Sequence, residues 1–221
     1  MYNFNMHLDT NIHFGKGQIK KLGKDIIKYT DRLLLVYGGG SIKKNGIYDS
    51  VVDELRANNI YFEELSGVDP NPRIESVVEG IKLCKENQLG GILAVGGGSS
   101  IDCSKVIAAG VKYDGDPWDL VLDRKKIVDA IPIFTVLTLS ATGSEMNANA
   151  VISNMTTNQK LGTGMPGITL QKHLYWTQST LIQYQPSIRQ QVLQILSVIP
   201  LKTTLPMLKV ATFRPGLQRQ S

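Results

Sequence analysis

Short apolar segments that end in glycine-rich or hydroxyl-rich turns recur along the first 145 residues of the chain. "LLLVYGGG" begins at Leu33, "GGILAVGGGSS" at Gly90 and "AIPIFTVLTLSATGSE" at Ala130. A short apolar run bounded by glycines predicts a buried strand followed by a turn. Between these runs, segments such as "IKKNGIYDSVVDELRANN" carry apolar residues at helical spacing. Strands that alternate with helices predict a parallel sheet covered by helices, with the chemistry at the carboxyl ends of the strands.

Weaker signals complete this pattern. "YFEEL" predicts a short strand, and Pro72 is expected to open the helix "RIESVVEGIKLCKEN". "AVISNMTTNQKLGTG" predicts a β-hairpin that turns around Thr156–Gln159. Three further side chains are expected to have structural roles: His13 beside an N-terminal strand, Cys103 in core packing, and Trp118 as the anchor of a surface loop.

The segment "LAVGGGSSIDCSK" carries the sharpest chemical signal. Gly96–Gly98 end a strand, and Ser99 and Ser100 are predicted to cap the helix that follows. Glycines let a phosphate approach backbone N–H groups, and the helix N-terminus favours the anion. A plain tight turn is the alternative. The spacing is not the G-x-G-x-x-G fingerprint, because Ile101 occupies the third glycine position, so a standard Rossmann unit is not indicated.

Two other turns offer further contacts. "YGGGSIKK" is a second strand–glycine–serine turn, and two such turns in one sheet can hold the two ends of a dinucleotide; an ordinary strand–helix connection is the alternative. "TLSATGSE" places hydroxyl groups at the end of a strand, where they can donate hydrogen bonds to phosphate or ribose. Alone this second signal is weak, because hydroxyl-rich loops are common.

The charge distribution argues against a nucleic-acid partner despite a sequence pI near 9.1. All 19 acidic residues lie at or before Glu145, whereas six of the 24 basic residues lie after position 169, so residues 1–169 carry a net charge of −1 (18 basic minus 19 acidic). The sequence has no apolar run long enough to span a membrane and no signal-peptide pattern at its start. Its two cysteines lack metal spacing, which favours the reducing cytoplasm.

Taken together, the motifs resemble those of the metal-dependent (iron-containing) alcohol dehydrogenases, and most closely the butanol dehydrogenase branch. The similarity runs over residues 1–169 and rests on six motifs that occur in the family's order: "FGKG", "YGGGSIKK", "DPNP", "AVGGGSSIDCSK", "DPWDL" and "TLSATGSEMNANAVISN". Dehydroquinate synthase and glycerol dehydrogenase share the fold and the glycine turn, but "TLSATGSE" and "DPNP" favour the alcohol dehydrogenases.

The resemblance implies an N-terminal NAD(P)-binding α/β domain of the dehydroquinate synthase-like type, followed by an all-helical metal domain. The substrate it implies is a primary alcohol or aldehyde, and the intact enzyme can be a homodimer. An iron or zinc ion, held by one Asp and three His of the helical domain, would polarise the alcohol oxygen while hydride passes to the nicotinamide. The resemblance also implies which residues would hold the cofactor, NADP or NAD. Its adenosine end would lie at Gly39, Gly40 and Ser41, and its pyrophosphate at Gly97, Gly98, Ser99 and Asp102. The phosphate and the nicotinamide would be lined by Thr138, Ser140, Thr142 and Ser144, and the nicotinamide ribose would lie near Asn147 and Lys160.

The resemblance ends at the metal ligands. Two of them should lie four residues apart on one helix, in a pattern such as D-x-x-x-H, so that both face one side. Asp129 is the last Asp of the chain, and His173 is the only later histidine. We therefore predict no catalytic and no metal-binding residue in this chain, which is then an alcohol dehydrogenase by descent that is inactive as written. A non-catalytic dinucleotide-binding remnant and a glycerol dehydrogenase-like enzyme are the alternatives.

Residues 170–221 differ in kind from residues 1–169, and the genetic code offers a reason. In a shifted reading frame, each new codon consists of the third base of one codon and the first two bases of the next. In this frame the Trp176–Thr177 junction must encode Asp, and the Val198–Ile199 junction can encode only Tyr, His, Asn or Asp. One codon choice over Leu193–Ser221 then gives ADIISHTFENYFTNVKGGYIQAGLAEAI, which contains the D-x-x-x-H pattern. We predict an NAD(P)-binding domain over residues 1–169 and an aberrant tail, translated out of frame, over residues 170–221. A genuine polar and divergent tail is the alternative.

Overall fold

The computed structural model of the protein describes residues 9–176, which contain a six-stranded sheet in the order β1-β8-β5-β4-β2-β3. Every neighbouring pair of strands in this sheet is parallel. The strands are β1 (Asn11–Phe14), β2 (Arg32–Tyr37), β3 (Tyr61–Leu65), β4 (Gly91–Gly96), β5 (Ile133–Leu137) and β8 (His173–Trp176). A separate antiparallel hairpin is formed by β6 (Ala150–Asn154) and β7 (Gln159–Thr163), as predicted. The parallel α/β class predicted from the alternating pattern is confirmed.

Six α-helices connect the strands within this part of the chain: α1 (Leu22–Ile26), α2 (Ser41–Lys44), α3 (Ile47–Ala57), α4 (Ile74–Glu86), α5 (Gly98–Val111) and α6 (Asp119–Leu122). Short 3-10 turns lie at Gln18–Lys21, Arg124–Lys126 and Ser144–Met146. Helix α3 buries the four apolar residues that share one of its faces. The helical periodicity of the sequence is therefore the reason for its orientation.

Strand β2 shows why the sheet is covered on both faces. Its side chains alternate between two cores: Leu34 and Val36 pack with apolar residues of α4 and α5, whereas Leu33 and Leu35 pack with those of α1 and α3. Alternate residues of a strand point to opposite faces of the sheet, so a continuous apolar run is buried on both sides. Cys103 lies in the first of these cores, which confirms its predicted packing role. Burial raises the pKa of its thiol to about 12.

The structure corrects the prediction for Pro72 and agrees with the one for Trp118. Helix α4 begins at Ile74, so Pro72 lies outside the helix; its carbonyl accepts a hydrogen bond from the N–H of Ser153 at 2.9 Å instead. Trp118 is only 8% exposed and packs in the core with residues of α4 and α5, while the residues before it, Asp114–Asp116, are exposed, so it anchors this surface loop as predicted.

Strand β8 crosses the boundary that the sequence suggested. Its four residues are buried between β1 and β5, so residues 173–176 complete the sheet although they follow position 169. Any short extended segment with apolar side chains can fill such a position, because the ladder is made by the backbone. The predicted out-of-frame origin of residues 177–221 lies outside the described residues, as does the chain before residue 9. Within residues 9–176, no helix is both long and apolar enough to cross a bilayer.

Candidate functional site

Three turns meet at the carboxyl edge of the sheet, where β2, β4 and β5 lie side by side. We call them the upstream glycine turn (Gly38–Gly40), the downstream glycine turn (Gly96–Gly98) and the hydroxyl loop (Thr138–Asn149). The last residues of the three strands are paired in register, which makes the turns neighbours. The chain leaves β2 towards β3 on one side and returns to β4 on the other, so the strand order reverses here. Ligands of open parallel sheets bind in the crevice at such a switch point.

The downstream glycine turn lies directly against the hydroxyl loop. A Cβ atom on Gly98 would overlap the side chain of Thr142, and the N–H of Thr138 donates to the carbonyl oxygen of Gly96 at 2.9 Å. The absence of side chains at the turn therefore permits the close approach. The structure brings together two groups of residues that the sequence assigned to the same ligand.

Helix α5 begins at this turn, with Gly97 as its N-cap. Ser99 and Ser100 lie in the first turn of the helix and do not cap it, which corrects the prediction; the Ser99 hydroxyl donates to the carbonyl oxygen of Pro70 at 2.7 Å. The first turn of α5 contains no acidic residue. Its N–H groups have no partner within the helix, and together with the helix dipole they favour an anion.

A buried lysine that the sequence analysis missed holds the hydroxyl loop. Lys105 of α5 is 0% exposed, and its ammonium group donates to the Ser144 carbonyl at 2.7 Å, the Ser144 hydroxyl at 2.8 Å and the Asn149 carbonyl at 2.6 Å. Burial lowers the pKa of Lys105 to about 8, against the opposing effect of the charges of Asp102 and Glu145. A lone lysine within the apolar stretch "CSKVIAAG" was the only sequence signal for this arrangement.

Asp102, predicted at the pyrophosphate, bonds to protein groups in this structure. One carboxylate oxygen accepts from the Ser144 hydroxyl, and the other accepts from the N–H of Val151 at 3.0 Å. Two predicted cofactor residues are thus bonded to each other. Both oxygens help to hold the hydroxyl loop and the first residues of β6 against α5.

The rest of the hydroxyl loop folds on itself. The Ser140 hydroxyl donates to Glu145 at 3.3 Å, and the side-chain amide of Asn147 donates to the carbonyl of Gly143 at 2.8 Å. Glu145 is only 4% exposed, and burial raises the pKa of its carboxyl group. This carboxyl group was also missed by the sequence analysis, because its neighbours in "TGSEMN" are typical of an exposed loop.

The upstream glycine turn has free space beside it. A Cβ atom on Gly39 or Gly40 would meet no atom within 4 Å, but Gly40 has a φ of +94°, which favours glycine. Ser41 is the first residue of α2. Lys43 of the same helix lies with its nitrogen 4.5 Å from the ring centroid of Tyr48. The predicted adenosine end is therefore an open surface with aromatic and basic groups next to it.

The hairpin β6–β7 reaches the same edge through Lys160. Its ammonium group donates to the side chain of Asn71 at 2.6 Å, within the "DPNP" turn. Pro70 of that turn accepts from Ser99, as described above. Through Asn71 and Pro70, the "DPNP" turn therefore connects Lys160 with Ser99, the residue that follows the downstream glycine turn. The sequence analysis had used this turn only as a family motif.

A second polar cluster lies away from these turns, where β1, β8 and α1 meet. His173 lies beside His13 and Asp25, because the parallel pairing of β1 with β8 joins distant segments. The Asp25 carboxylate is 3.6 Å from His13 and 3.9 Å from His173. Tyr175 donates to Asp25 at 2.8 Å and Lys28 donates at 2.7 Å. Such a set of ligand types is compatible with a divalent metal.

The geometry of this cluster instead favours a hydrogen bond between its two histidines. Nε2 of His13 and Nδ1 of His173 are 3.0 Å apart, and the two ring planes are nearly parallel, inclined by 13° with centroids 5.3 Å apart. Burial lowers the pKa of both imidazoles, so that the neutral pair is favoured.

Comparisons with known proteins match this part of the chain. The family model described as "Iron-containing alcohol dehydrogenase" matches residues 9–170. The chain is 60% identical over 164 residues to NADH-dependent butanol dehydrogenase A of Clostridium acetobutylicum, covering 74% of this chain and 42% of that protein. It is 47% identical over 163 residues to NADPH-dependent aldehyde reductase YqhD of Escherichia coli, covering 72% and 41%. The crystal structure of NADH-dependent butanol dehydrogenase A from Thermotoga maritima superposes with a TM-score of 0.78 and 44% identity, covering 84% of this chain and 46% of that chain.

The match is confined to one part of those proteins. The chain spans about two fifths of the length of the curated relatives it matches. The matched residues are those that form the sheet, the two glycine turns and the hydroxyl loop.

Proposed function

The chain belongs to the iron-containing alcohol dehydrogenase family, and from this premise we propose that residues 9–176 bind a nicotinamide dinucleotide for the interconversion of primary alcohols and aldehydes. The observation that carries this proposal is the contact between the downstream glycine turn and the hydroxyl loop at the start of α5. An anion-binding helix terminus with hydroxyl groups beside it is the arrangement that a pyrophosphate requires. The names of the relatives, butanol dehydrogenase and aldehyde reductase, support the substrate class.

Each turn then has a separate task in cofactor binding. The N–H groups of the first turn of α5 bind the pyrophosphate, and the upstream glycine turn leaves space for the adenosine half. The hydroxyl loop orients the nicotinamide half, while Lys160 and Asn71 border the same edge. When bound, the nicotinamide carries the hydride, and the residues of this chain supply its position.

The iron of the family does not fit the residues present. Metal sites of this kind take three or four protein ligands, whereas the chain has no Asp after Asp129 and only His173 as a later histidine, and that histidine is hydrogen-bonded to His13 in the second polar cluster. This observation favours a second candidate function, in which the chain of 221 residues binds the dinucleotide without turnover.

We further propose that residues 170–221 are read out of frame. Two observations support this: the family match stops at residue 170, and a shifted reading of the codons restores Asp at Trp176–Thr177 and the D-x-x-x-H pattern downstream. Sequencing of the gene around codons 165–175, beside an intact copy, tests the idea. A single inserted or deleted base is expected, and a gene without one would contradict it.

The cofactor proposal is tested with the whole chain and a matched pair of glycine variants. We expect the chain to bind NAD(P)H, measured by nicotinamide fluorescence, and Gly98→Ala to lose at least about tenfold in affinity because the new methyl group overlaps Thr142. Gly162→Ala is the control, since its Cβ would have no neighbour closer than 3.9 Å. Failure of the unmodified chain to bind either nucleotide would contradict the proposal.

A further inference from the structure

We propose that Lys105 is a positioning residue, which fixes the hydroxyl loop in the place where the nicotinamide half of the cofactor is bound. The inference rests on the proposed function and adds to it a residue that makes no contact with the ligand. Lys105 belongs to α5, the helix that starts at the downstream glycine turn. It therefore connects the element that holds the pyrophosphate with the loop that follows β5.

The bonds of Lys105 cover the second half of the hydroxyl loop. Its ammonium group reaches the Ser144 carbonyl and hydroxyl, the Asn149 carbonyl and, at 3.4 Å, the Asn147 side chain. Ser144 is also held by Asp102, and its carbonyl accepts in addition from the side-chain amide of Gln171 at 3.1 Å. The acceptors come from positions 144 to 149, so one cation holds a stretch of backbone that has little regular structure.

Because Lys105 is fully buried, its ammonium group depends on the acceptors of the hydroxyl loop. Lysine is almost never fully buried unless its charge is compensated, because an unpaired buried charge is very costly. Lys105 is 0% exposed, so movement of the loop away from α5 would leave the ammonium group without its acceptors. The lowered pKa of Lys105 reflects the same desolvation.

The hydroxyl loop also contacts the downstream glycine turn, so the position of the loop affects the proposed cofactor site. Thr142 lies against the downstream glycine turn, on the opposite flank of the loop from Asn149. Without Lys105, the backbone at Asn149 and the side chain of Asn147 lose their bonds to α5, and Ser144 keeps only its bonds to Asp102 and Gln171. The hydroxyls of Thr142 and Ser144 would then be held less firmly, while the upstream glycine turn would be unchanged.

The test compares the whole dinucleotide with its adenosine fragment. In the full chain, Lys105→Met removes the donors but keeps a long apolar side chain, and Lys112→Met at the exposed end of the same helix is the control. We expect Lys105→Met to weaken NADPH binding about tenfold while 2′,5′-ADP binding stays within about twofold. A purely structural role would weaken both ligands equally, and that result would overturn the proposal.

Hydrogen exchange of the peptide covering the hydroxyl loop provides a readout that does not depend on nucleotide binding. Exchange of residues 138–149 should accelerate in Lys105→Met and, to a smaller extent, in Ser144→Ala, whereas β4 keeps its protection. Unchanged exchange in the loop would overturn the proposal even if affinity fell. If the unmodified chain bound neither nucleotide, the proposed function would fail, and the exchange data alone would decide whether Lys105 holds the loop.

Discussion

The titration of Lys105 gives a stability prediction with a defined sign. Its pKa is about 8 in the folded chain and 10.5 in the unfolded reference, so the unfolded state binds more protons between these values. The free energy of unfolding should therefore rise with pH across this window, by up to about 3 kcal/mol from this group. Urea unfolding at pH 7.5 and 9.5 tests this, with Lys105→Met as the reference that lacks the titration. Identical pH dependence in the two chains would contradict the assignment.

The groups around the upstream glycine turn favour a 2′-phosphate on the adenosine ribose. NAD specificity usually requires a free carboxylate at the ribose 2′-OH, and the turn itself carries none. The nearby Glu64 accepts hydrogen bonds from Tyr37 at 2.5 Å and from Tyr48 at 2.6 Å, whereas Lys44 is exposed. We therefore expect NADP(H) to bind more tightly than NAD(H).

Calorimetry with both cofactors measures this preference. Lys44→Gln should lower the affinity for NADPH without a change for NADH, and Lys20→Gln, another exposed lysine, serves as the control. Tighter binding of NADH to the unmodified chain would show that the preference was assigned wrongly. The basic residues of this turn could be read from the sequence, but the hydrogen bonds of Glu64 to Tyr37 and Tyr48 could not, because β3 had to be placed beside β2 first.

At the scale of elements, α4 and α5 are joined by a reciprocal exchange of small and large residues. Ile107 of α5 lies over Gly80 of α4, and Ile81 of α4 lies over Gly110 of α5. A Cβ atom on Gly80 would overlap Ile107 and would also lie 3.1 Å from Leu65. The two helices can approach closely only because both contact points lack a side chain.

Gly80→Ala is therefore expected to destabilise the chain, although alanine is the better helix former by about 1 kcal/mol. Overpacking of this kind costs about 1–3 kcal/mol, so a net loss should appear as a lower urea midpoint. Ile107→Val removes the overlapping methyl group and should recover part of the loss in the double variant. Additive effects of the two substitutions would rule out the proposed contact.

These elements also show what the sequence could and could not predict. Strands followed from short apolar runs that end at glycines, and helices from a period of 3.6 residues, since both signals depend on neighbours along the chain. The packing partner of Gly80 and the acceptors of Lys105 lie far away along the sequence. Only the fold brings them together, so no local pattern could reveal them.

For the molecule as a whole, strand β8 marks the limit of prediction from sequence. The sequence assigned residues after 169 to a foreign tail, yet residues 173–176 lie between β1 and β5. A strand position in a sheet is defined by backbone bonds and by apolar side chains, which an unrelated sequence can supply by chance. The metal ligands of a family cannot be supplied in this way, because each must be one residue type at one place.

Because a foreign segment can supply a strand but not a set of metal ligands, the whole chain should lack the metal. We expect the purified 221-residue protein to retain no stoichiometric iron or zinc and to form no NAD(P)H from a primary alcohol. The family resemblance implies a metal that polarises the alcohol oxygen for hydride transfer. Of the residues that could hold one, His13 is hydrogen-bonded to His173, and Asp25 accepts from Tyr175.

Metal analysis after dialysis, together with an assay of alcohol oxidation, measures both parts of this expectation. A version with the shifted frame restored, which continues through D-I-I-S-H, is the positive control and should gain metal and turnover together. His13→Gln separates the two possible sources of any metal found: loss of the metal in this variant would assign it to the His13–Asp25–His173 cluster. Tight metal that survives His13→Gln, or alcohol turnover by the unmodified chain, would contradict both the inactivity and the out-of-frame origin of residues 170–221.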